Sequence, residues 1–258
     1  MLRVVADVGN TRLKWGRLDG SCRLAESLTL PLDDPSAWEA AWRRWDASGV
    51  AATAWAVASV NPPAAARLSA FIDGLPASKE GATWYRSAAD VPVRHALQKP
   101  ETAGADRALA VSATVADGLE GRPCLLVMCG TAVTVECINV DGTWRGGAIA
   151  AGLSLTARAL HMLTAQLPLV EPRDEPAPWG DATRSALEAG VFWGVVGAIC
   201  ELLRRQSLAL GHERPPRVVW TGGDAPRLAR AVAWPGARVV PDLVLRGLAS
   251  VAFGGGQA

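Results

Sequence analysis

Apolar and polar residues follow one another along the chain in segments that predict strands and helices in turn. Short apolar runs are typical of buried strands, and apolar residues three and four apart are typical of one helix face. The predicted strands are Arg3–Asp7, Arg12–Leu18, Ala51–Ser59, Ala82–Arg86 and Val218–Thr221, with two more after Cys124. The predicted helices are Pro35–Ser48, Ala64–Ile72, Gly104–Ala116, Leu153–Thr164, Thr183–Ala209, one beginning at Asp224 and one closing the chain after Pro241. This alternation predicts an α/β fold with mixed sheets.

The opening pattern of the chain recurs about 120 residues later. VVADVGNTRLKWGRLDG reads as strand, glycine turn, strand and Asp-Gly turn, and CLLVMCGTAVTVECINVDGTWRGG repeats this order. Gly9 lies 11 positions before Gly20, and Gly130 lies 12 positions before Gly142. Such self-similarity predicts a duplicated domain. Because DGLEGRP is polar and glycine-rich, the boundary is predicted there, which gives domains 1–118 and 119–258.

Composition narrows the class of protein. Half of the 258 residues are hydrophobic, a fifth are charged and the formal net charge is +1, which gives no argument for nucleic acid or a membrane surface. The five cysteines are odd in number and lack C-x-x-C spacing, so reduced thiols in a cytoplasm are expected. The apolar run Ala189–Cys200 is shorter than the roughly 18 residues of a membrane span, so a buried helix is expected. No signal peptide is expected, because Asp7 interrupts the candidate apolar core.

The first turn has the composition of a phosphate-binding loop. Gly9 lets the backbone approach a ligand, while Asn10 and Thr11 add neutral donors. Asp7 repels phosphate but can hold Mg²⁺, which usually takes one or two carboxylates plus phosphate oxygens. Lys14 can add a positive charge. A plain β-hairpin with a polar turn is the alternative interpretation.

Three further stretches carry possible chemistry. In TAGADRALA, Asp106 can act as a general base toward a substrate hydroxyl, and Arg107 can bind an anion. A helix cap with a solvated arginine is the alternative for this pair. In CGTAVTVE, Gly130, Thr131 and Thr134 can contact phosphates. In VVWTGGDAPRLA, Thr221, Gly222 and Gly223 can contact an adenosine. Any one of these turns could be purely structural, but their order favours a nucleotide site.

The order of these motifs resembles the type III pantothenate kinases. The residues that carry the resemblance are DVGNTRLKWG, GADRA, GTAVTVE followed by GGAIAAGL, and TGGDA, so it spans essentially the whole chain. GADR between the two phosphate loops separates this family from other members of the acetate kinase, sugar kinase and actin-like superfamily. The resemblance implies two ribonuclease-H-like domains, also described as actin-like ATPase domains, with mixed sheets and ATP in the interdomain cleft.

The resemblance also implies an activity and its residues. The activity is transfer of the γ-phosphoryl of ATP to pantothenate, the first step of coenzyme A synthesis, by a homodimer that needs Mg²⁺ and a monovalent cation such as K⁺ or NH₄⁺. The residues implied to contact ATP or its phosphates are Asp7, Val8, Gly9, Asn10, Thr11, Arg12, Lys14, Gly130, Thr131, Thr134, Thr221, Gly222 and Gly223, with Asp7 also the metal ligand. Asp106 is the implied catalytic base, and the implied pantothenate contacts are Leu97, Gly104, Ala105, Asp106, Arg107 and Thr183, the last across the dimer.

The chain departs from the family pattern at several positions. Met128 stands where the family usually has an aspartate, Glu136 replaces a second aspartate, Leu97 replaces a tyrosine and Ala151-Gly152 replaces Pro-Gly. A branch that includes Bordetella-type accessory factors similarly lacks the first aspartate and keeps a glutamate, and it is associated with virulence-gene regulation. The alternatives are therefore a regulatory protein on the same scaffold, or a kinase for another small alcohol or acid.

Overall fold

The computed structural model describes residues 1–46, 52–75 and 81–254. These residues form two compact units. The first unit comprises the described residues of Met1–Val93, Leu97–Asp117 and Asp242–Ala258, and the second comprises Arg94–Ala96 and Gly118–Pro241.

Strands and helices alternate along the described chain, which confirms the predicted α/β class. The strands are β1 (Leu2–Val8), β2 (Leu13–Leu18), β3 (Leu24–Leu30), β4 (Thr53–Ser59), β5 (Ala82–Tyr85), β6 (Cys124–Cys129), β7 (Ala132–Ile138), β8 (Trp144–Ala151), β9 (Arg217–Thr221) and β10 (Arg238–Val239). The α-helices are α1 (Pro35–Trp45), α2 (Pro62–Asp73), α3 (Ala105–Ala116), α4 (Leu153–Met162), α5 (Thr183–Leu210), α6 (Ala225–Val232) and α7 (Leu243–Phe253). Short 3₁₀ helices occupy Ala88–Asp90 and Pro100–Thr102.

The two sheets repeat one topology. The first has the order β3-β2-β1-β4-β5 and the second has the order β10-β9-β6-β7-β8, which is the same order read from the other edge. In each sheet the first strand pairs antiparallel with the second and parallel with the fourth. The predicted duplication is therefore confirmed in strand order and direction, and both sheets are mixed, as the sequence predicted.

An aromatic core supports the first sheet. Trp38, Trp42 and Trp45, which lie three and four positions apart in α1, are buried. Trp15 lies edge-on to Trp55 with ring centroids 5.2 Å apart. Helix α1 begins where the Asp34 side chain accepts from two backbone N–H groups. It ends at Trp45, and the last two positions of the predicted helix, 47 and 48, lie outside the described residues, as does position 51 of the predicted strand Ala51–Ser59.

Three strands were absent from the sequence prediction: β3, β8 and β10. In β3, LAESLTL alternates between half-buried and exposed residues, which is the period of a strand with one face toward the core. Strand β8 is rich in glycine and alanine, residues with weak strand preference, and β10 contains only two residues. Pairing with β7 and β9 therefore organises these two segments.

The last helix belongs to the first unit. Gly247 of α7 lies directly against the backbone of Leu109 in α3, so the two helices approach closely. This grouping differs from the predicted division at 118 and 119, which kept all later residues in one domain. Sequence near the boundary cannot show where a helix more than a hundred residues away will pack.

Replacing Gly247 by alanine is expected to destabilise the protein by about 1–3 kcal/mol, the usual cost of overpacking a core. A Cβ at this position would overlap the Leu109 carbonyl, so α3 and α7 would have to separate. Urea denaturation measures the effect. Gly20→Ala is the control, because a Cβ there meets no atom within 4 Å. Equal midpoints for the two variants would contradict the packing argument.

Helix α5 is the longest element of the described chain. It runs over 28 residues and is long and apolar enough to cross a membrane by length and composition alone. Its buried positions, which include Val191, Phe192 and Val195, pack in the core of the second unit. The core helix of a soluble protein passes the same test, and 44% of the apolar window is buried here.

Candidate active site

The first candidate turn lies at the end of β1 and the start of β2. Asp7 faces Lys14 across the antiparallel pair, and the Gly9 N–H donates to the Arg12 carbonyl over 3.1 Å. Asn10, Thr11 and Arg12 are exposed, whereas Val8 is buried beneath them. This hairpin presents its polar residues to solvent while the strand residues on either side are held in the sheet.

Asp7 carries a strongly perturbed carboxyl group. Burial raises its pKa from the ordinary 3.8 to about 7, and the negative charges of Asp106 and Asp242 raise it further while Lys14 opposes them. Burial and the neighbouring carboxylates of Asp106 and Asp242 disfavour the ionised form of Asp7, and a bound cation would favour it. Since Mg²⁺ is commonly held by one or two carboxylates plus phosphate oxygens, the Asp7 carboxylate fits such an ion. No group of three or more His, Cys, Asp or Glu side chains that could hold a metal occurs in the described residues.

Lys14 is held by an ion pair from the other end of the chain. Its Nζ donates to Asp242 Oδ1 over 3.0 Å, and Ser27 Oγ donates to the second oxygen of Asp242 over 2.8 Å. Asp242 is the N-cap residue of α7 and has a left-handed backbone conformation, with φ of 55°. The predicted phosphate cation therefore has a carboxylate partner close to Asp7.

Asp106 lies in the first turn of α3. Its carboxylate folds back over Gly104, where an added Cβ would overlap Asp106 Oδ1. Gly104 also forms an isolated bridge with Ser87, so the start of the helix is tied to the segment after β5. Arg107 is half-buried and Ala105 is fully buried. The structure thus brings Asp7 and Asp106 together in one unit, as the general-base hypothesis requires.

The second candidate turn joins β6 to β7. The Gly130 N–H donates to the Ala132 carbonyl over 3.0 Å, and the Gly152 N–H donates to the Thr131 carbonyl over 3.0 Å. Gly152 has no room for a side chain, because a Cβ would overlap the carbonyl of Gly130. Thr134 is 8% exposed, and in the described structure its hydroxyl has no hydrogen-bond partner. A buried hydroxyl without a partner costs free energy, so a ligand oxygen would stabilise it.

The third glycine segment packs on the second turn. Gly222 has φ of 103° and lies against the backbone of Cys129, where a Cβ would overlap the carbonyl. The Asp224 N–H then donates to the Cys129 carbonyl over 3.2 Å. Thr221 is buried, and a Cβ at Gly223 would meet open space. Asp224 is the N-cap residue of α6, but its side chain pairs with Arg227 at 2.5 Å and makes no capping hydrogen bond.

The structure defines the environment of two residues that depart from the family pattern. Glu136 is fully buried and accepts from the indole N–H of Trp144 over 3.0 Å. Met128 lies in register with Thr134 of β7 on one side and with Thr221 of β9 on the other, so β6 lies between the two strands that carry these threonines. The remaining two candidate residues lie apart in sequence and unit: Leu97 is half-buried in the first unit, and Thr183 is exposed at the start of α5 in the second.

Comparison with known proteins decides the family. The family model of the type III pantothenate kinases matches residues 3–205. This chain belongs to that family. A type III pantothenate kinase of Aromatoleum aromaticum is 33% identical over 255 residues, covering 96% of this chain and 97% of that one. A type III pantothenate kinase of Hyphomonas neptunium is 35% identical over 236 residues, covering 86% and 88%.

Solved structures share the fold of this family member. A Campylobacter jejuni protein assigned to the Baf family of transcriptional activators has a TM-score of 0.59 at 18% identity, with 96% of both chains covered. A Sinorhizobium meliloti protein assigned as a 2-dehydro-3-deoxygalactonokinase has a TM-score of 0.60 at 13% identity, with 97% of this chain and 98% of that chain covered. At these identities the similarity shows the architecture alone.

The sequence analysis did not identify Asn61, whose side chain forms a hydrogen bond to the turn between β1 and β2. Its Nδ2 donates to the Gly9 carbonyl over 3.3 Å, and its Oδ1 accepts from the Ala64 N–H over 3.1 Å, which caps α2. The next residue, Val60, donates from its N–H to the Val8 carbonyl over 3.2 Å. The sequence signal was an asparagine before Pro62 and Pro63, which is typical of a helix start and says nothing about a distant turn.

Replacing Asn61 by serine is expected to raise the KM for MgATP about 2–10-fold, the effect of one lost neutral hydrogen bond. Serine caps helices about as well as asparagine but is too short to reach Gly9, so stability should change little. Steady-state kinetics and thermal denaturation measure both quantities. Asn61→Ala also removes the cap and should cost about 1 kcal/mol of stability. An unchanged KM in both variants would contradict the role of Asn61 at the turn.

Proposed function

We propose that this protein transfers the γ-phosphoryl group of ATP to the primary hydroxyl of pantothenate, which opens coenzyme A synthesis. Membership of a kinase family implies ATP as the donor, and the name of the family supports pantothenate as the acceptor. The observation that carries the proposal is that Asp106, in the first turn of α3, lies close enough to Asp7, near the end of β1, for its negative charge to raise the pKa of Asp7.

In this proposal Asp106 accepts the proton of the attacking hydroxyl and Arg107 binds the acceptor or the transferring group. A positioned general base contributes typically about 10²–10⁴-fold in rate. The two glycine turns bind the phosphates through their backbone N–H groups and through Thr11, Thr131 and Thr134. The unpartnered hydroxyl of Thr134 supports this role, because a phosphate oxygen would supply its missing acceptor. Thr221, Gly222 and Gly223 contact the adenosine.

Mg²⁺ is generally expected for a kinase, and Asp7 is the proposed carboxylate that holds it, directly or through water. When bound, the ion neutralises charge that develops on the phosphoryl oxygens. The raised pKa of Asp7 supports this assignment, because a cation beside it would favour the ionised form. We also propose that a monovalent cation, K⁺ or NH₄⁺, assists. With Met128 in place of the usual aspartate, one carboxylate is missing from that site, so its occupancy should be weaker.

We further propose that the protein is a cytoplasmic homodimer that binds neither membranes nor nucleic acid. One side of α5 is exposed and made of small residues four positions apart: Ala186, Gly190, Gly194 and Ala198. Exposed Trp193 lies beside this stripe, and exposed Ile149 and Leu155 come from elements that contact α5. Small residues allow two helices to approach closely, and in the dimer Thr183 of one subunit would line the acceptor site of the other. The proposed sequence domains are 1–118 and 119–258.

The direct test is an assay of the purified protein with MgATP and pantothenate, with and without K⁺, detecting phosphopantothenate. We expect turnover that requires Mg²⁺ and increases when K⁺ is added. ATP binding without phosphoryl transfer would instead support the regulatory alternative, and transfer to a different small alcohol or acid would support the third. If activity does not respond to K⁺ or NH₄⁺, the proposed monovalent cation is wrong while the kinase assignment stands.

Oligomeric state has its own test. Gly194→Arg places a charged side chain on the exposed stripe and should convert a dimer to a monomer in sedimentation equilibrium. Ala70→Arg, on the exposed face of α2, is the matched control and should leave the mass unchanged. A monomeric wild-type protein would overturn the dimer proposal.

A further inference from the structure

Asp242, at the start of α7, has a backbone conformation that is costly for most residues. Its φ of 55° and ψ of 31° lie in the left-handed region, where aspartate is tolerated better than most side chains but less well than glycine. Aspartate is favoured at helix starts because its carboxylate can accept from the first backbone N–H groups. The Asp242 side chain makes no such capping hydrogen bond in the described structure. The stability of α7 therefore does not explain the carboxylate.

The Asp242 carboxylate also has an unfavourable neighbour. Its negative charge contributes to the raised pKa of Asp7, so the two acids repel each other. Asp242 would repel phosphates bound at the first turn in the same way. The side chains of its ion pair, Lys14 and Asp242, are 29% and 20% exposed, and such partly exposed pairs contribute little to folding stability. The stability of the fold therefore gives no reason for an acid at this position.

Asp242 restricts the position of Lys14. Lys14 Nζ donates to Asp242 Oδ1 over 3.0 Å, and Ser27 Oγ donates to Asp242 Oδ2 over 2.8 Å, so both carboxylate oxygens are fixed. Further along α7, buried Leu245 packs over β2, where a Cβ added at Gly16 would lie 3.4 Å from Leu245 Cδ1. The partner of Lys14 is therefore held on a packed helix, which is a rigid support for a functional side chain.

A lysine that is held in this way suits a phosphate site. Lys14 pairs with Asp7 across β1 and β2, and directly opposite residues of an antiparallel pair project from the same face of the sheet. A free lysine side chain loses rotamer freedom when it binds a ligand, whereas a lysine already held by an ion pair has lost that freedom beforehand. The ammonium group has further N–H donors besides the one that Asp242 accepts, and these can donate to phosphate oxygens.

We propose that Asp242 is a positioning residue of the phosphoryl transfer, which fixes the Lys14 ammonium beside the site of the ATP phosphates before the nucleotide binds. This inference rests on the proposed function, in which the first turn binds those phosphates. Asp242 itself does not touch the nucleotide and acts through Lys14. None of the phosphate motifs in the sequence contains Asp242.

The test replaces Asp242 by glycine, which adopts the left-handed conformation without strain and is accepted at a helix start. We expect the KM for MgATP to rise about twofold to tenfold, the range that ordering one long side chain accounts for, while the KM for pantothenate stays unchanged. Removing a negative charge near the phosphates would by itself lower the KM for MgATP, so the direction of the change separates positioning from simple repulsion. A lower or unchanged KM for MgATP would overturn the inference.

A double-mutant cycle tests whether the effect passes through Lys14. Lys14→Met should raise the KM for MgATP about tenfold to a hundredfold, the range for a lost charge-assisted hydrogen bond. In the Lys14→Met background, Asp242→Gly should cause no further rise, because the lysine that Asp242 positions is gone. An equal rise in both backgrounds would show a structural effect and overturn the inference.

Asp117→Asn is the matched control, because it breaks the 3.0 Å ion pair between Asp117 and Arg246, another residue of α7, and leaves Lys14 untouched. The KM for MgATP should not change in this variant. A rise equal to that of Asp242→Gly would show that any disturbance of α7 has the same effect, and the positioning role would be wrong.

Equilibrium binding of MgATP separates this inference from the proposed function. If wild type does not phosphorylate pantothenate, the proposed function has failed, and the dissociation constants of MgATP for wild type, both single variants and the double variant decide the inference. A weakening by Asp242→Gly that is lost in the Lys14→Met background supports it. Binding that is unchanged or tighter in Asp242→Gly, or absent in wild type, overturns the inference as well.

Discussion

Replacing Asp106 by asparagine is expected to lower kcat by about 10²–10⁴-fold, the contribution of a general base. The amide has nearly the shape of the carboxylate but cannot accept the proton of the attacking hydroxyl. Folding should be preserved, because Asp106 lies in the first turn of α3 and its negative charge repels that of Asp7. Removing the charge of Asp106 relieves this repulsion. Initial-rate kinetics with MgATP and pantothenate measure the loss, and thermal denaturation checks the fold.

Two variants make this prediction specific. Gly104→Ala keeps the carboxylate but places a methyl group where Asp106 Oδ1 lies, so it should lower kcat by displacing the base. Asp117→Asn is the control, because it lies beyond the other end of α3, where its carboxylate pairs with Arg246 at 3.0 Å. Full activity in Asp106→Asn would show that another group takes the proton. Full activity in Gly104→Ala alone would show that the carboxylate relaxes without cost.

The parts of the candidate site that sequence could predict are local hairpins and helix starts. Asp7, Gly9 and Thr11 stand within five positions, so the strand, the turn and the carboxylate follow from one short segment. The same holds for Gly104 with Asp106 and for Gly222 with Asp224. Each of these features depends on a backbone conformation that glycine permits, and the residues next to each glycine are enough to predict the turn.

The parts that sequence could not predict depend on distant contacts. Lys14 and its partner Asp242 are separated by 228 positions, and no local pattern marks either as half of a pair. Asn61 reads as a helix cap, yet its second hydrogen bond reaches Gly9. Glu136 stands where the family usually has an aspartate, but the fold buries it against Trp144. In each case the sequence specifies the residue type, and the tertiary fold chooses its partner.

Replacing Asp7 by asparagine is expected to stabilise the metal-free protein above neutral pH while removing Mg²⁺-dependent activity. The pKa of Asp7 is about 7 in the folded protein, mainly because of burial, and 3.8 is its ordinary value. Since the folded state keeps the proton between these values and the unfolded state releases it, wild-type stability falls as pH rises from about 4 to about 7. Three pKa units at about 1.36 kcal/mol each give about 4 kcal/mol, the order of the advantage expected for Asp7→Asn at pH 8.

Urea denaturation in the presence of a chelator, at pH values from 4 to 8, tests both the size and the direction of this effect. Wild type and Asp7→Asn should be equally stable near pH 4, because both side chains are then neutral, and should separate progressively up to about pH 7. Asp19→Asn is a control of opposite direction, since backbone and hydroxyl donors lower the pKa of Asp19 and its charge stabilises the fold above pH 4. A constant difference between wild type and Asp7→Asn at all pH values would show that the pKa of Asp7 is the same in the folded and the unfolded protein. The proposed dependence of Asp7 on a bound cation would then lose its support. If adding MgATP in place of the chelator removes the stability difference between the two proteins, the bound nucleotide and metal stabilise the ionised Asp7 carboxylate that destabilises the free protein.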